Sequence, residues 1–128
     1  MAVKVVKAGD VKYESVEEEV PHLKGGLYGE VTNNEDNPVM GGCMFKVVGP
    51  VKFDWHYEYD EIYIMIDGPM KCTVDGKTTV LNAGDMCSVR KGDEVELEVE
   101  TCANMFCVTR PPFTDPELVK AIQKRYPD

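Results

Sequence analysis

The chain has 128 residues, which suits one domain with a real core. Its 14 Lys plus Arg against 23 Asp plus Glu give a net charge of −9, a field that argues against nucleic acid or an anionic membrane as a partner. No apolar run approaches membrane-spanning length, and the opening MAVKVVKAGD has neither an apolar signal core nor a cleavage-site pattern, so the expected compartment is the cytoplasm.

Residues 1–40 are the least regular part and read as an N-terminal arm with short strands. Glu17-Glu18-Glu19 and the run Asn33 to Pro38 look like solvated turns. Gly25-Gly26 and Gly41-Gly42 flank short apolar pieces that read as strands. Residues 41–112 carry short β-rich runs punctuated by Gly and Pro, the pattern of a barrel or sandwich. Val51, Phe53, Trp55, Tyr57 and Tyr59 alternate with Lys52, Asp54, His56 and Glu58, and a period of two places the aromatic set inward. Ile62 to Ile66 is apolar on both faces, as in a central strand or a dimer contact, and a homodimer is expected from it. Asp75-Gly76 between two β-rich runs is a strong hairpin signal. Val95, Leu97 and Val99 alternate with Glu94, Glu96, Glu98 and Glu100, which read as a solvated face that discourages edge pairing. Over 115–126 the period changes. Asp115 caps and Pro116 opens a short helix whose Leu118, Ile122 and Tyr126 form one stripe, with Lys124 and Arg125 at its C-terminal end. Five scattered cysteines with no CxxC read as reduced thiols packed as small apolar side chains.

Two stretches carry motif spacing. In the first, Gly49, Glu61 and Gly68 hold their places; in the second, Gly84 and Gly92 do. Both resemble the paired motifs of the cupin superfamily. The resemblance implies an all-β fold: a single cupin, the double-stranded β-helix or jelly-roll barrel, here with a short C-terminal α-helix. Cupins hold a metal through two His, a Glu and a further His. The first two positions read here as Trp55 and Tyr57 or as Asp54 and His56, according to the spacing chosen, and the last is Val95. The alternation favours Trp55 and Tyr57 inside, since turning Lys52, Asp54, His56 and Glu58 inward would desolvate several charges. The expectation is therefore no metal, with a site of Asp54, His56 and Glu61 as the alternative. Glu61 keeps two readings: a carboxylate satisfied by neighbouring donors, or a partly buried acid beside Trp55, Tyr57 and Tyr63 with a raised pKa, suited to acid–base work or ligand binding. His56 and His22 read as surface or interface residues.

A closer resemblance lies in Phe53-x-Trp55-x-x-x-Tyr59-Asp60-Glu61 with Gly68, continued by Ala83-Gly84-Asp85, Arg90-Lys91-Gly92 and Thr109-Arg110-Pro111. Residues 38–112 are similar to the cupin domain of the ethanolamine-utilisation protein Q family. Arg90 stands where that family usually has Pro, the helix over 117–125 is a departure, and the N-terminal extension of the longer members has no counterpart. The resemblance implies a bacterial cytoplasmic protein of ethanolamine catabolism associated with microcompartment shell proteins. It also implies acetate-kinase-like phosphoryl transfer, with Glu61, Asp60 and Tyr59 as catalytic residues. Trp55, Tyr57, Tyr63, Phe53 and Lys91 would then bind a small-molecule ligand. No tightly bound cofactor is expected; ATP and magnesium would be needed for a phosphotransferase, and no GxxxxGK[ST] loop is present. The competing readings are a non-catalytic assembly or binding cupin of a microcompartment, and a metallo-cupin dioxygenase or isomerase.

Overall fold

The computed structural model describes residues 3–127. Ten strands precede one helix: β1 (Tyr13–Ser15), β2 (Gly26–Glu30), β3 (Gly41–Val48), β4 (Val51–His56), β5 (Asp60–Asp67), β6 (Met70–Val74), β7 (Lys77–Leu81), β8 (Met86–Val89), β9 (Glu94–Val99), β10 (Cys102–Arg110) and α1 (Pro116–Arg125). They form a six-stranded sheet ordered β1-β2-β3-β10-β5-β8 and a four-stranded sheet ordered β4-β9-β6-β7. Every strand pair is antiparallel. The fold is the all-β cupin barrel that the two motifs imply.

Period-two alternation sets which side chains fill it. β4 pairs with β9 so that Val51, Phe53 and Trp55 lie opposite Val99, Leu97 and Val95, all directed inward. The other face brings Lys52, Asp54 and His56 opposite Glu98, Glu96 and Glu94, with Lys52 Nζ 3.5 Å from Glu96 Oε1. Burying the apolar face and leaving the charged one wet is the only inexpensive solution for these sequences. Val47, Met65, Met70, Val99 and Ala103 pack the interior with almost no exposure.

Gly49 lies between β3 and β4, where the chain leaves one sheet for the other. A Cβ there would stand 2.2 Å from the Val99 carbonyl oxygen, so only glycine fits. Its N–H donates to Thr101 O at 2.7 Å. The β6–β7 hairpin turns through Asp75 (φ 50) and Gly76 (φ 79), the paired positive φ values that the Asp-Gly signal predicts.

Helix α1 starts as expected: Asp115 accepts a hydrogen bond from the Leu118 N–H at 3.1 Å, and Pro116 takes the first turn. Leu118 and Ile122 are buried and Tyr126 is half-buried. The helix does more than pad the surface, because it forms part of the barrel's mouth. Among the described residues no helix is long and apolar enough to cross a membrane. All five cysteines are unpaired thiols; Cys43, Cys72 and Cys107 are buried.

Candidate functional site

A cavity of ≈ 780 Å³ runs into the barrel. Its inner walls come from both sheets: Phe53 and Trp55 of β4, Tyr57 and Tyr59 of the β4–β5 connection, Glu61 and Tyr63 of β5, and Cys107 of β10. The mouth is built from the N-terminal segment at Glu14 to Leu23 and from α1, which contributes Val119, Ile122 and Gln123.

The aromatic rings are locked to one another. Tyr57 and Tyr59 meet at 71° with centroids 5.4 Å apart, Tyr59 and Phe113 at 70° and 4.9 Å, and Phe113 and Tyr28 at 86° and 6.2 Å. Edge-to-face contact suits the ring quadrupoles and makes adjacent rings perpendicular walls. The Trp55 indole N–H donates to the Tyr59 hydroxyl at 3.0 Å. Tyr126 stacks on Trp55 at 5.1 Å and on His22 at 4.0 Å, and its hydroxyl accepts from the His56 N–H at 2.9 Å. Arg125 pairs with Glu58 one residue earlier in α1. These contacts pin the end of the helix over the rim.

Glu61 is 7% exposed and has aromatic side chains for neighbours. Burial pushes its carboxyl up to about 7, against a weaker downward pull from hydrogen bonding with the Cys107 thiol and the Tyr57 hydroxyl. Burial likewise raises Tyr57, Tyr59 and Tyr63 far above the usual phenol range, with the Glu61 charge adding to the effect, so all three keep their protons. Cys107 is raised by its contact with Cys43 and by burial. The Tyr63 hydroxyl is buried beside the Cys87 thiol, a weak partner at best, and has no hydrogen bond of normal geometry.

The structure brings together most, but not all, of the residues expected from the sequence. Glu61, Tyr59, Trp55, Tyr57, Tyr63 and Phe53 line the cavity. Asp60 and Lys91 do not. Asp60 is the outward neighbour of Glu61 on β5, where its carboxylate accepts from the Lys91 N–H at 2.9 Å and from Arg110 Nη2 at 2.8 Å. Those bonds hold its pKa below the usual range. It ties the loop after β8 to the end of β10, and Lys91 contributes its backbone to that clasp while its side chain is exposed. Tyr28, Phe45, Phe113 and Cys107, together with the mouth residues of α1, were not expected at the site.

The alternative metal set does not converge. Asp54 and His56 lie on the outer face, His56 beside Glu94 at 2.9 Å, while Glu61 points into the barrel. At the family's remaining ligand position Val95 is buried and offers no donor. Among the described residues no three His, Cys, Asp or Glu side chains gather to hold a metal. The donor set does not fit the metal that cupins carry, because Trp55 and Val95 cannot ligate and Glu61 is one carboxylate alone.

The family described as ethanolamine utilisation protein EutQ matches residues 1–113. A protein of Clostridioides difficile named acetate kinase EutQ is 31% identical over 77 residues, 60% of this chain and 48% of that one. The chain spans about half the length of the curated relatives it matches. The crystal structure of a putative ethanolamine utilization protein Q of Salmonella typhimurium aligns with a TM-score of 0.73 at 24% identity, over 86% of this chain and 87% of that one. An RmlC-like cupin of Shewanella frigidimarina aligns at 0.71 and 14% identity, over 89% and 96%, which shows the shared fold.

A carboxyl raised from 4.5 to about 7 binds its proton more tightly in the folded than in the unfolded state, so stability falls as pH rises through that window. The lost stability amounts to roughly 3 kcal/mol once both states are ionised. Glu61→Gln should therefore match the unsubstituted protein near pH 4.5 and exceed it by about that amount above pH 8. Urea unfolding across pH 4.5–8.5 measures the difference, and a difference independent of pH would contradict the burial effect.

Proposed function

The chain belongs to the ethanolamine utilisation protein EutQ family, and from that premise we propose that its barrel binds a small metabolite of ethanolamine catabolism, oriented by Glu61. One observation carries the reading: a barrel cavity of ≈ 780 Å³ walled by aromatic rings contains a buried carboxyl and a tyrosine hydroxyl left without a partner. Buried polar groups in folded proteins are nearly always paired, and unpaired ones facing a cavity mark a place for a ligand. The proposed binding needs no resident metal, because Trp55 and Val95 offer no donor and Glu61 and a protonated Tyr57 are left as the oxygens at the positions that would hold one. The cytoplasm, beside the microcompartment shell, is the setting that the family context supports.

Acetate-kinase-type phosphoryl transfer is the second reading, and it draws on the relatives' name. Phosphoryl transfer needs cations and magnesium around the phosphates. Among the described residues the one basic side chain along the cavity is Lys120, against Glu14, Glu19 and Glu61. Lys52 pairs with Glu96 on the outer face and Arg110 with Asp60. Binding therefore stands ahead of phosphoryl transfer.

Trp55 is the only tryptophan and lines the cavity, so its fluorescence reports occupancy directly. Titration with ethanolamine, acetate and acetyl phosphate should give saturable change for at least one of them, and Glu61→Gln should weaken that binding tenfold or more. A folded protein whose emission none of them moves at millimolar concentration would contradict the reading.

We also propose a homodimer. On the outer face of the six-stranded sheet, Met44, Phe106, Ile64 and Met86 stand side by side in register across β3, β10, β5 and β8, with Val108 and Ile62 in the next row. Met86 is 72% exposed and Ile62 61%. A contiguous apolar patch of this kind favours burial against another surface. Light scattering at micromolar concentration should give twice the chain mass, and Ile62→Lys should return a monomer. A monomeric unsubstituted protein would refute the pairing.

A further inference from the structure

Resting on the binding reading above, we infer that the ligand class of this barrel is an organic ammonium, seated between perpendicular aromatic walls with its charge on the Glu61 carboxylate. The walls come first. Tyr57, Tyr59, Phe113 and Tyr28 all line the cavity and meet edge to face in a continuous chain at 71°, 70° and 86°. Each ring offers a negative face or a positive edge, and a cation within about 6 Å of a ring face is held by the quadrupole.

Charge gives the second argument. Glu61 is the buried acid of the cavity, Glu14 and Glu19 lie at the mouth, and Lys120 is their single basic counterpart. An anionic ligand would enter a site with three acids against one base and would meet the carboxyl of Glu61 at close range. A neutral apolar ligand would leave the Tyr63 hydroxyl buried and unpaired and would give the Glu61 carboxyl, already hydrogen-bonded to Cys107 and Tyr57, no counter-charge. An ammonium answers both: it supplies the missing counter-charge, and a polar group on its tail can pair with Tyr63.

The titratable groups around Glu61 are the phenols of Tyr57, Tyr59 and Tyr63 and the thiol of Cys107, all held above their ordinary range by burial and their neighbours, so none supplies a positive charge in place of the cation. With the cavity empty, Glu61 is mostly protonated below pH 7. Binding of R–NH3+ then ionises the acid: the carboxyl O–H bond breaks, the ammonium–carboxylate pair forms, and the proton passes to buffer. Cation binding and proton release are one linked event.

Three probes of nearly equal size separate the possibilities: ethanolamine (cation), ethylene glycol (neutral) and glycolate (anion), each titrated into the full chain. Calorimetry at pH 6 in two buffers of different ionisation enthalpy counts protons, and Trp55 fluorescence confirms occupancy. Ethanolamine is expected to bind at least tenfold tighter than ethylene glycol, with close to one proton released per site at pH 6 and almost none at pH 8.5. Glu61→Gln should lose both the preference and the proton. Tighter binding of glycol or glycolate would overturn the ammonium class while leaving the binding site intact. Ethanolamine binding without proton release would overturn Glu61 as the counter-ion. A silent Trp55 with all three probes would overturn the binding site itself.

Discussion

Removing the Glu61 carboxyl from water penalises its ionised form by several kcal/mol unless a cation offsets the loss, and the barrel supplies none. The side chain points into the barrel from β5 because Tyr63 and Met65 share its face, and the strand cannot turn one of the three outward alone. The acid consequently gives up its proton only around neutrality rather than near pH 4.5, and the phenols around it stay neutral. In cupins that hold a metal, that ion supplies the positive charge in the barrel; in this chain the donors for it are replaced by Trp55 and Val95.

Helix α1 and the N-terminal segment give the site its boundary. A jelly-roll barrel alone is open at its mouth. Here Leu118 and Ile122 bury against the barrel, the rings of Tyr126, Trp55 and His22 form one mutually contacting cluster, and the His22 imidazole donates from Nε2 to the Asp54 carbonyl at 2.6 Å. The same Trp55 that lines the cavity therefore also anchors its cover. Movement of the helix end would disturb Trp55, and occupation of the cavity beside Trp55 would be felt at the helix.

Much of this was legible in the sequence because it depends on local period. The alternation from Val51 to Tyr59 places Trp55 and Tyr57 inside and His56 outside, and the paired sheets do the same. The Asp-Gly turn and the Asp115 cap are likewise local chemistry. Asp60 was grouped with Glu61 through the family triplet Tyr59-Asp60-Glu61, whereas the period alone places it outside the cavity: if Glu61 faces in, its neighbour on the same strand faces out. Lys91 sits in a loop after β8, where no periodicity could place its side chain. Tyr28 and Phe113 reach the cavity from β2 and from beyond β10, through pairings across more than 80 residues of chain that no local pattern encodes. The helix stripe was visible, but its target, the mouth of the barrel, was not.

The character of the cavity depends on a Glu61 carboxyl whose titration burial has moved from the ordinary carboxylate range to about neutrality. Its side-chain carboxyl carbon can be followed by 13C NMR in glutamate-labelled protein, with Glu61→Gln assigning the resonance by its disappearance. Titration from pH 4 to 9 should show a midpoint at about 7, well separated from the surface glutamates. A midpoint near 4.5 would mean that water or a buried counter-charge reaches the carboxylate, and the picture of an uncompensated acid in an aromatic barrel would be wrong.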